Sequence, residues 1–540
     1  MNKKEIVHFC VERGILIDKE VLSLFEGSED VGTFKIILEK ILKQTPQKIL
    51  TKNVFRENRE RVIQFFSTLP TEDQKKLEKL KINLGLSIEI SKESFNPNET
   101  HEVLQELNLN KENLRKEVNE PSFSDIRILS SNSALRRKIV VKDFQIHLRN
   151  RFLELGKILQ DRPELNSLIS INKISGINQR FSIIGMVYSK RVTKNKNLLF
   201  EIEDLTGKIK VVVTQSNQDT YKKAGNMAID SVIGFKGSGN REILFANEIV
   251  FPDAAILERK KSPVDENVLF ISDVHVGSKN FMEKNFLKFV DYLNGKIPNT
   301  PEAEKIKYLF IVGDLVAGVG VHPNQEKGLE IKDLEGQYLK MAELLGKIRK
   351  DINIIAIPGN HDCVRLMEPQ PILDEKYAWP LYNLRNVVLS SNPSLVNMGA
   401  KKNFSGFNVL AYHGFSYYYY ANNIPCLIEE KATSSPDKVM KYLLMNRHVA
   451  PTHTSAQISP SEDDGLLMKK VPDIFVSGHT HTNAVSYYNN ILLISNSCWE
   501  KLMPYQEKMG FKSDYCKVPM FNLKTRKIKI LDFYEENEDE

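Results

Sequence analysis

Residues Val268 to Ser278 read VLFISDVHVGS. A short apolar run with the composition of a buried strand ends at once in Ser-Asp-Val-His. Asp273 and His275 stand two positions apart, so at the end of a strand both side chains can point the same way. Asp and His are ligands for divalent metals. Alone the pair is a weak signal, because an Asp after a strand is more often a cap or turn residue. Its weight comes from four further apolar runs downstream that end in the same residue types.

YLFIVGDLVAG delivers Asp314, and IIAIPGNHD delivers Asn360, His361 and Asp362. FNVLAYHG delivers His413, and IFVSGHTH delivers His479 and His481. In open α/β sheets the carboxyl ends of the strands line one crevice, so all these residues are expected to converge there. Carboxylates, imidazoles and an amide oxygen, with no thiolate, suit two divalent ions: Mn²⁺ first, with Fe²⁺ or Zn²⁺ as alternatives. A pair of such ions is the usual device for phosphoester cleavage. Gly313, Gly359, Gly414 and Gly478 sit beside these residues and let the backbone approach closely.

The chain has 540 residues, too many for one core. Hydrophobic residues make up 41% and charged residues 27%, a globular balance, and the net charge of +6 permits nucleic-acid binding without arguing for it. The five cysteines form no CxxC pair, which fits a reducing compartment. With neither a signal peptide nor a run long enough to span a membrane, a cytoplasmic protein is expected.

Residues 1–85 carry apolar residues at helical spacing, as in KIILEKIL from Lys35, and predict a helical N-terminal domain. Residues 86–135 are rich in Asn, Ser, Glu and Lys and read as a flexible linker. In residues 136–255, Phe144, Leu148, Phe152, Leu155 and Leu159 share one helical face, and Asp161-Arg162-Pro163 stops that helix. Between Phe181 and Pro252 the period changes to five short strands, which suggest a small barrel of the oligonucleotide-binding (OB) type. Lys190, Arg191, Lys194 and Lys196 are its candidate contacts to a single strand. Strands and helices alternate through residues 256–534, with helices expected at Lys284 to Leu293 and Leu334 to Lys350. Residues 535–540 form an acidic tail.

The set DVH, GDLV, GNHD, HG and GHTH resembles the calcineurin-like metallophosphoesterase family across about residues 266 to 500. That resemblance implies a double β-sandwich flanked by helices within a multidomain α+β chain. It also implies roles: Asp273, His275 and His481 on one metal, Asn360, His413 and His479 on the other, and Asp314 bridging them. His361 would be a non-ligand that stabilises the transition state or protonates the leaving oxygen. DFQIHLRNRFLELGKILQDRPEL, IEDLTGKI, VGDLVAGVGVHPNQE, IPGNHDCVR, RHVAPTH and CWEKLMPYQEKMGF resemble the small subunits of archaeal family D DNA polymerases over about residues 137 to 525. This second resemblance implies a 3′–5′ exonuclease that proofreads DNA for a large polymerase subunit. The alternatives are a repair nuclease of the same superfamily and a scaffold subunit with a vestigial site. No sliding-clamp motif is evident near the C-terminus.

Arg365 and Arg447 are candidate DNA-phosphate contacts. His322, His448 and His453 fall in or near the matching stretches. The run Tyr417 to Tyr420 suggests core packing ahead of base stacking, and Trp499 suggests packing in the core or an interface.

Overall fold

The computed structural model describes residues 125–132, 138–176, 179–502 and 513–535, together with a short parallel strand pair, Leu16–Ile17 and Ile49–Leu50. The chain divides into two units, Met1–Val118 and Asn119–Glu540. The helices expected in residues 1–85 lie outside the described residues, as does most of the linker. One part of that linker is corrected: Ile126–Ser130 (β1) is an edge strand of the second unit. Its one-sided burial and polar surroundings hid it, because an edge strand needs no long apolar run.

The helix Val141–Gln160 (α1) forms where the periodicity placed it. A closed barrel follows, built from Gln179–Val192 (β2), Leu198–Glu203 (β3), Lys208–Val213 (β4), Val232–Gly239 (β5) and Ile243–Val250 (β6). The order around it is β2-β3-β4-β6-β5, and β5 closes onto β2. A helix, Gln218–Gly225 (α2), connects β4 to β5. Phe181, Phe200, Phe235, Val211 and Leu244 fill the interior.

The remaining chain forms two six-stranded sheets face to face. The first contains the parallel strands Asn267–Ile271 (β7), Ile306–Val312 (β8), Asn353–Ile357 (β9) and Val387–Leu389 (β10). Lys517–Asn522 (β16) and Ile528–Asp532 (β17) extend it antiparallel beyond β7. The second sheet runs Ala484–Tyr488 (β14), Ile491–Ser495 (β15), Ile474–Ser477 (β13), Phe407–Ala411 (β12), Ser394–Met398 (β11), then β1.

The alternation of side chains along β7 explains why it reads as continuously apolar. Val268 and Phe270 pack between the sheets against Phe310, Val409, Val476 and Ile494. Leu269 and Ile271 point to the opposite face. There they meet Phe286, Phe289, Val290 and Leu293 of helix Glu283–Leu293 (α3) and Tyr338 and Met341 of helix Leu334–Gly346 (α4). The second sheet is covered likewise by Val439, Met440, Leu443 and Leu444 of helix Pro436–Asn446 (α5). A strand buried on both faces needs apolar residues at every position. Among the described residues no helix is long and apolar enough to cross a membrane.

Candidate metal centre

The five motifs meet where the carboxyl ends of the two sheets face each other. The first sheet supplies Asp273 and His275 after β7, Asp314 after β8, and Asn360 and His361 after β9. The second supplies His413 after β12 and His479 and His481 after β13. The backbone ties these loops together. The N–H groups of Val274 and His275 donate to the Asp314 carbonyl at 2.8 and 3.1 Å, and Gly478 N–H donates to the His413 carbonyl at 2.9 Å.

Three groups of donor atoms lie close enough to hold a metal ion: Asp273 with His275 and His481, Asp314 with His413 and His479, and His275 with Asp314 and His361. Asp273 Oδ1 is 3.4 Å from His481 Nε2, and Asp314 Oδ2 is 3.3 Å from His413 Nε2. His413 Nε2 is also 3.1 Å from Asn360 Oδ1. The opposite nitrogen of His413 lies 2.9 Å from the Val312 carbonyl, a contact that places a proton on Nδ1 and leaves Nε2 as the donor atom. His361 is held in the same manner, with Nδ1 2.8 Å from the Ala317 carbonyl and its backbone N–H on Asp314 Oδ1.

The donor set fits divalent cations. It consists of hard and borderline ligands, and among the described residues the ion-pair-range neighbours of the buried Asp273 and Asp314 are imidazoles. Burial opposes ionisation of Asp314, yet the rings of His413, His361 and His275 hold it well below the ordinary carboxylate range. Burial likewise works against a charged His413, but Asp314 and Asp273 push it up to about 10. His479 falls to about 3 through burial and the neighbouring His413.

Strain and close approach also concentrate here. Asp273, His275, Asp314, His479 and His481 all have φ between 51 and 68°, a left-handed conformation that costs energy in residues other than glycine. The glycines beside them are needed for room. A Cβ on Gly359 would stand 2.2 Å from Asp314 Oδ1, one on Gly313 2.3 Å from His413 Nδ1, and one on Gly478 2.5 Å from Asp273 Oδ2.

Asp362 lies behind the donors. Its carboxylate accepts the Gly359 and Leu315 N–H groups and the Tyr338 hydroxyl, fixing two of the loops to each other. Burial and the nearby Asp314 push it up to about 7. Glu368 supports His413 through Asn392, whose Oδ1 accepts the His413 N–H.

A cavity of about 290 Å³ opens over the cluster. His322, Tyr418 and Glu500 line it beside the motif residues, and its described lining contains no lysine or arginine.

Residues 266–483 match the calcineurin-like phosphoesterase family. Over the longer chain, a DNA polymerase II small subunit from Methanothermobacter thermautotrophicus is 37% identical, with the match covering 73% of this chain and 80% of the relative. The chain belongs to the DNA polymerase II small-subunit family. A second family member, from Pyrococcus furiosus, is 38% identical over 73% of this chain, and the match spans 64% of that relative's length. A third, from Archaeoglobus fulgidus, is 35% identical over 68% of this chain and 73% of the relative.

Several residues of this family member are placed differently from the sequence reading. Arg447 is corrected as a DNA contact: it is 6% exposed and donates to the Lys469 carbonyl. Arg365 is corrected too, since its guanidinium binds the carbonyls of Met367 and Pro369 and does not line the cavity. Lys190 turns inward to the Gly225 carbonyl, whereas Arg191, Lys194 and Lys196 are exposed. Tyr417 and Tyr420 are buried in the core, while Tyr418 faces the cavity with its ring 5.6 Å from that of His479. Trp499 packs in the core against Phe286 and Phe289. His448 is buried against Asp464, and His453 sits edge-on to Phe144. Glu500 was missed altogether. It stands five residues beyond the apolar strand β15, farther than the motif residues stand from theirs, and only the fold brings it to the cavity.

Proposed function

We propose that this chain is the exonuclease subunit of a replicative DNA polymerase, removing nucleotides from the 3′ ends of DNA for a separate large polymerase subunit. The observation that carries the reading is the convergence of the eight motif residues, from five strand ends, on one cluster of donor atoms, with His275, Asp314, His361, His479 and His481 lining the cavity over it. Membership of the DNA polymerase II small-subunit family supports replication as the setting.

In this reading Asp273, His275 and His481 hold one divalent ion and Asn360, His413 and His479 hold a second. Asp314 serves both, since its carboxylate is 3.9 Å from His275 and 3.3 Å from His413. Bound there, two ions, with Mn²⁺ the first choice, supply Lewis acidity at the scissile phosphate and a nucleophile active at neutral pH. Among the described residues that line the cavity, histidines are the only side chains able to carry positive charge, so in this reading the ions supply the charge neutralisation there. His361 keeps Nδ1 on the Ala317 carbonyl and thereby directs Nε2 into the cavity, where it passes a proton to the departing 3′-oxygen. Its ring packs edge-on to His275 at 4.7 Å, which restrains its swing.

We read the barrel as OB-type from its strand order and the helix between its third and fourth strands. Arg191, Lys194 and Lys196 are its exposed candidates for the single strand.

The test is 5′-labelled single-stranded DNA incubated with the full chain and Mn²⁺. A ladder of stepwise shortening is expected, and it should vanish in His361→Ala while elemental analysis still finds the metals. Loss of metal in that variant would make His361 a ligand, as its grouping with His275 and Asp314 allows. Asp314→Ala is expected to deplete both ions. Metal binding without cleavage, alone or with the large subunit, would instead favour a scaffold role. Co-purification with a large polymerase chain checks the partner.

A further inference from the structure

The cavity contains one carboxylate that belongs to none of the three donor groups. Glu500 sits on a segment pinned from several sides. The Trp499 carbonyl accepts the Met282 N–H at 2.8 Å, and Lys501 N–H donates to the Asn280 carbonyl at 3.0 Å. The Cys498 thiol donates to the carbonyl of Glu500 itself at 3.2 Å. The neighbouring Trp499 ring is buried in the core. A backbone held in this manner gives the side chain a defined direction.

The Glu500 side chain is 17% exposed, and its Oε2 is 3.9 Å from Nε2 of His275. Among the described residues His275 is its one ion-pair-range neighbour, and no N–H or O–H donates to the carboxylate. An ionised carboxylate has about four acceptor sites, so most of its capacity is left for whatever enters the cavity.

A DNA phosphate placed against Glu500 is repelled, and more strongly inside a partly enclosed cavity than in open water. The substrate group resting on Glu500 is therefore a neutral donor. Base edges differ among the four nucleotides and cannot serve every end alike. The terminal 3′-hydroxyl is common to all unblocked ends and is neutral.

Resting on the exonuclease reading above, we propose that Glu500 selects a free 3′-hydroxyl end: its carboxylate accepts the terminal hydroxyl's hydrogen bond and turns away a terminal phosphate. No bond forms or breaks at Glu500. Its effect is on which end is admitted, through one attractive contact and one repulsive one.

The experiment uses the full chain with Mn²⁺, alone and with the large subunit. Three 5′-labelled oligonucleotides end in a 3′-hydroxyl, a 3′-deoxy sugar or a 3′-phosphate, and removal of the first nucleotide is timed. The wild type is expected to rank hydroxyl above deoxy above phosphate, with hydroxyl ahead of phosphate by on the order of tenfold or more. Glu500→Gln, which keeps the shape and removes the charge, should shrink that ratio to about threefold or less. Glu500→Asp should keep the preference, and elemental analysis should find equal metal in all three proteins. An unchanged ratio in Glu500→Gln, equal wild-type rates on hydroxyl and deoxy ends, or loss of metal from Glu500→Gln would each overturn the proposal. A wild type that shortens no hydroxyl end under either condition overturns the exonuclease reading itself, an outcome distinct from an active enzyme with an unchanged ratio.

Discussion

Gly359 shows how tightly single residues are constrained at the candidate metal centre. A methyl group there would stand 2.2 Å from Asp314 Oδ1, 2.5 Å from the Asp314 nitrogen and 2.8 Å from the His413 ring. The backbone nitrogen cannot rotate aside, so the donors must move instead. Gly359→Ala is expected to weaken metal binding by on the order of 10–100-fold, the range seen when groups around a ligand are disturbed. The fold should lose only about 1–3 kcal/mol, the usual cost of overpacking. Titration calorimetry with Mn²⁺ and a thermal melt check the two parts; undiminished metal affinity would show that the donors tolerate the shift. At this scale the sequence was most informative about the motif residues. Each of the eight directly follows an apolar strand, and that adjacency is visible along the chain. Glu500 is set off from β15 by five positions that include the buried Cys498 and Trp499, and Tyr418 differs from Tyr417 and Tyr420 only by the direction its helical turn presents. Directions of this kind emerge from packing, so a run of identical tyrosines does not disclose them.

Among the elements, helix α1 is joined to the phosphoesterase region by a buried ionic cluster. Arg151 Nε donates to Asp464 Oδ2 at 2.7 Å, and its Nη1 donates to the Pro451 carbonyl at 2.6 Å. His448 Nε2 lies 2.9 Å from the same Asp464 oxygen, while its Nδ1 accepts the Ala450 N–H at 3.0 Å. With both nitrogens engaged, His448 has no free site for a second proton. Burial, aided by the Arg151 charge, brings it down to about 4. An unfolded histidine titrates near 6.5, so between about pH 6.5 and pH 4 the unfolded chain binds a proton that the folded chain refuses. Stability therefore falls as pH falls through that window, by up to roughly 3 kcal/mol from this residue. Burial opposes ionisation of Asp464, but Arg151 and His448 hold it well below the carboxylate range. Its contribution is complete above its unfolded value of about 3.9 and is lost only under stronger acid. Denaturant melts at pH 7 and pH 4.5 are expected to show the loss, and His448→Gln should flatten it. Arg151→Met should cost about 3–5 kcal/mol at pH 7 by leaving Asp464 unpaired. The helix itself was legible, because its apolar stripe has a clean period. The polar face that fastens it was not, since His147 and Arg151 each lie more than 300 residues from Asp464 in sequence. Strands β10, β11, β14, β16 and β17 also went unread. They are short, edge-placed or interrupted, as by Pro519 in β16, and take their register from neighbours already in place.

For the molecule as a whole, the barrel is fastened to the phosphoesterase region by groups from both. Ser231 Oγ donates to Asn446 Oδ1 at 3.0 Å, Thr452 Oγ1 to the Ile229 carbonyl at 3.0 Å, and the Tyr442 hydroxyl to the Asn226 carbonyl at 2.9 Å. Ala228 from the barrel and Ala254 just after it belong to the same apolar cluster as Tyr442, Leu443 and Phe475. Sequence reading recognised the barrel and the phosphoesterase region as successive segments. It carried no sign of this joint, because none of these contacts follows a local period. The joint makes the barrel part of the phosphoesterase region's stability. A chain beginning at residue 256 would expose that apolar cluster and remove Ser231 from Asn446, the Ile229 carbonyl from Thr452 and Arg151 from Asp464. Uncompensated buried polar groups cost about 1–3 kcal/mol each, and a buried Asp464 deprived of its cation costs more. Several such losses together rival the whole stability of an ordinary domain. The truncated chain is therefore expected to be insoluble or to melt far below residues 119–540, which should unfold in one calorimetric transition. Two well-separated transitions, or a soluble truncated chain with the same melting temperature, would show that the barrel is only tethered. In that case a strand bound on the barrel would have no fixed path to the metal centre.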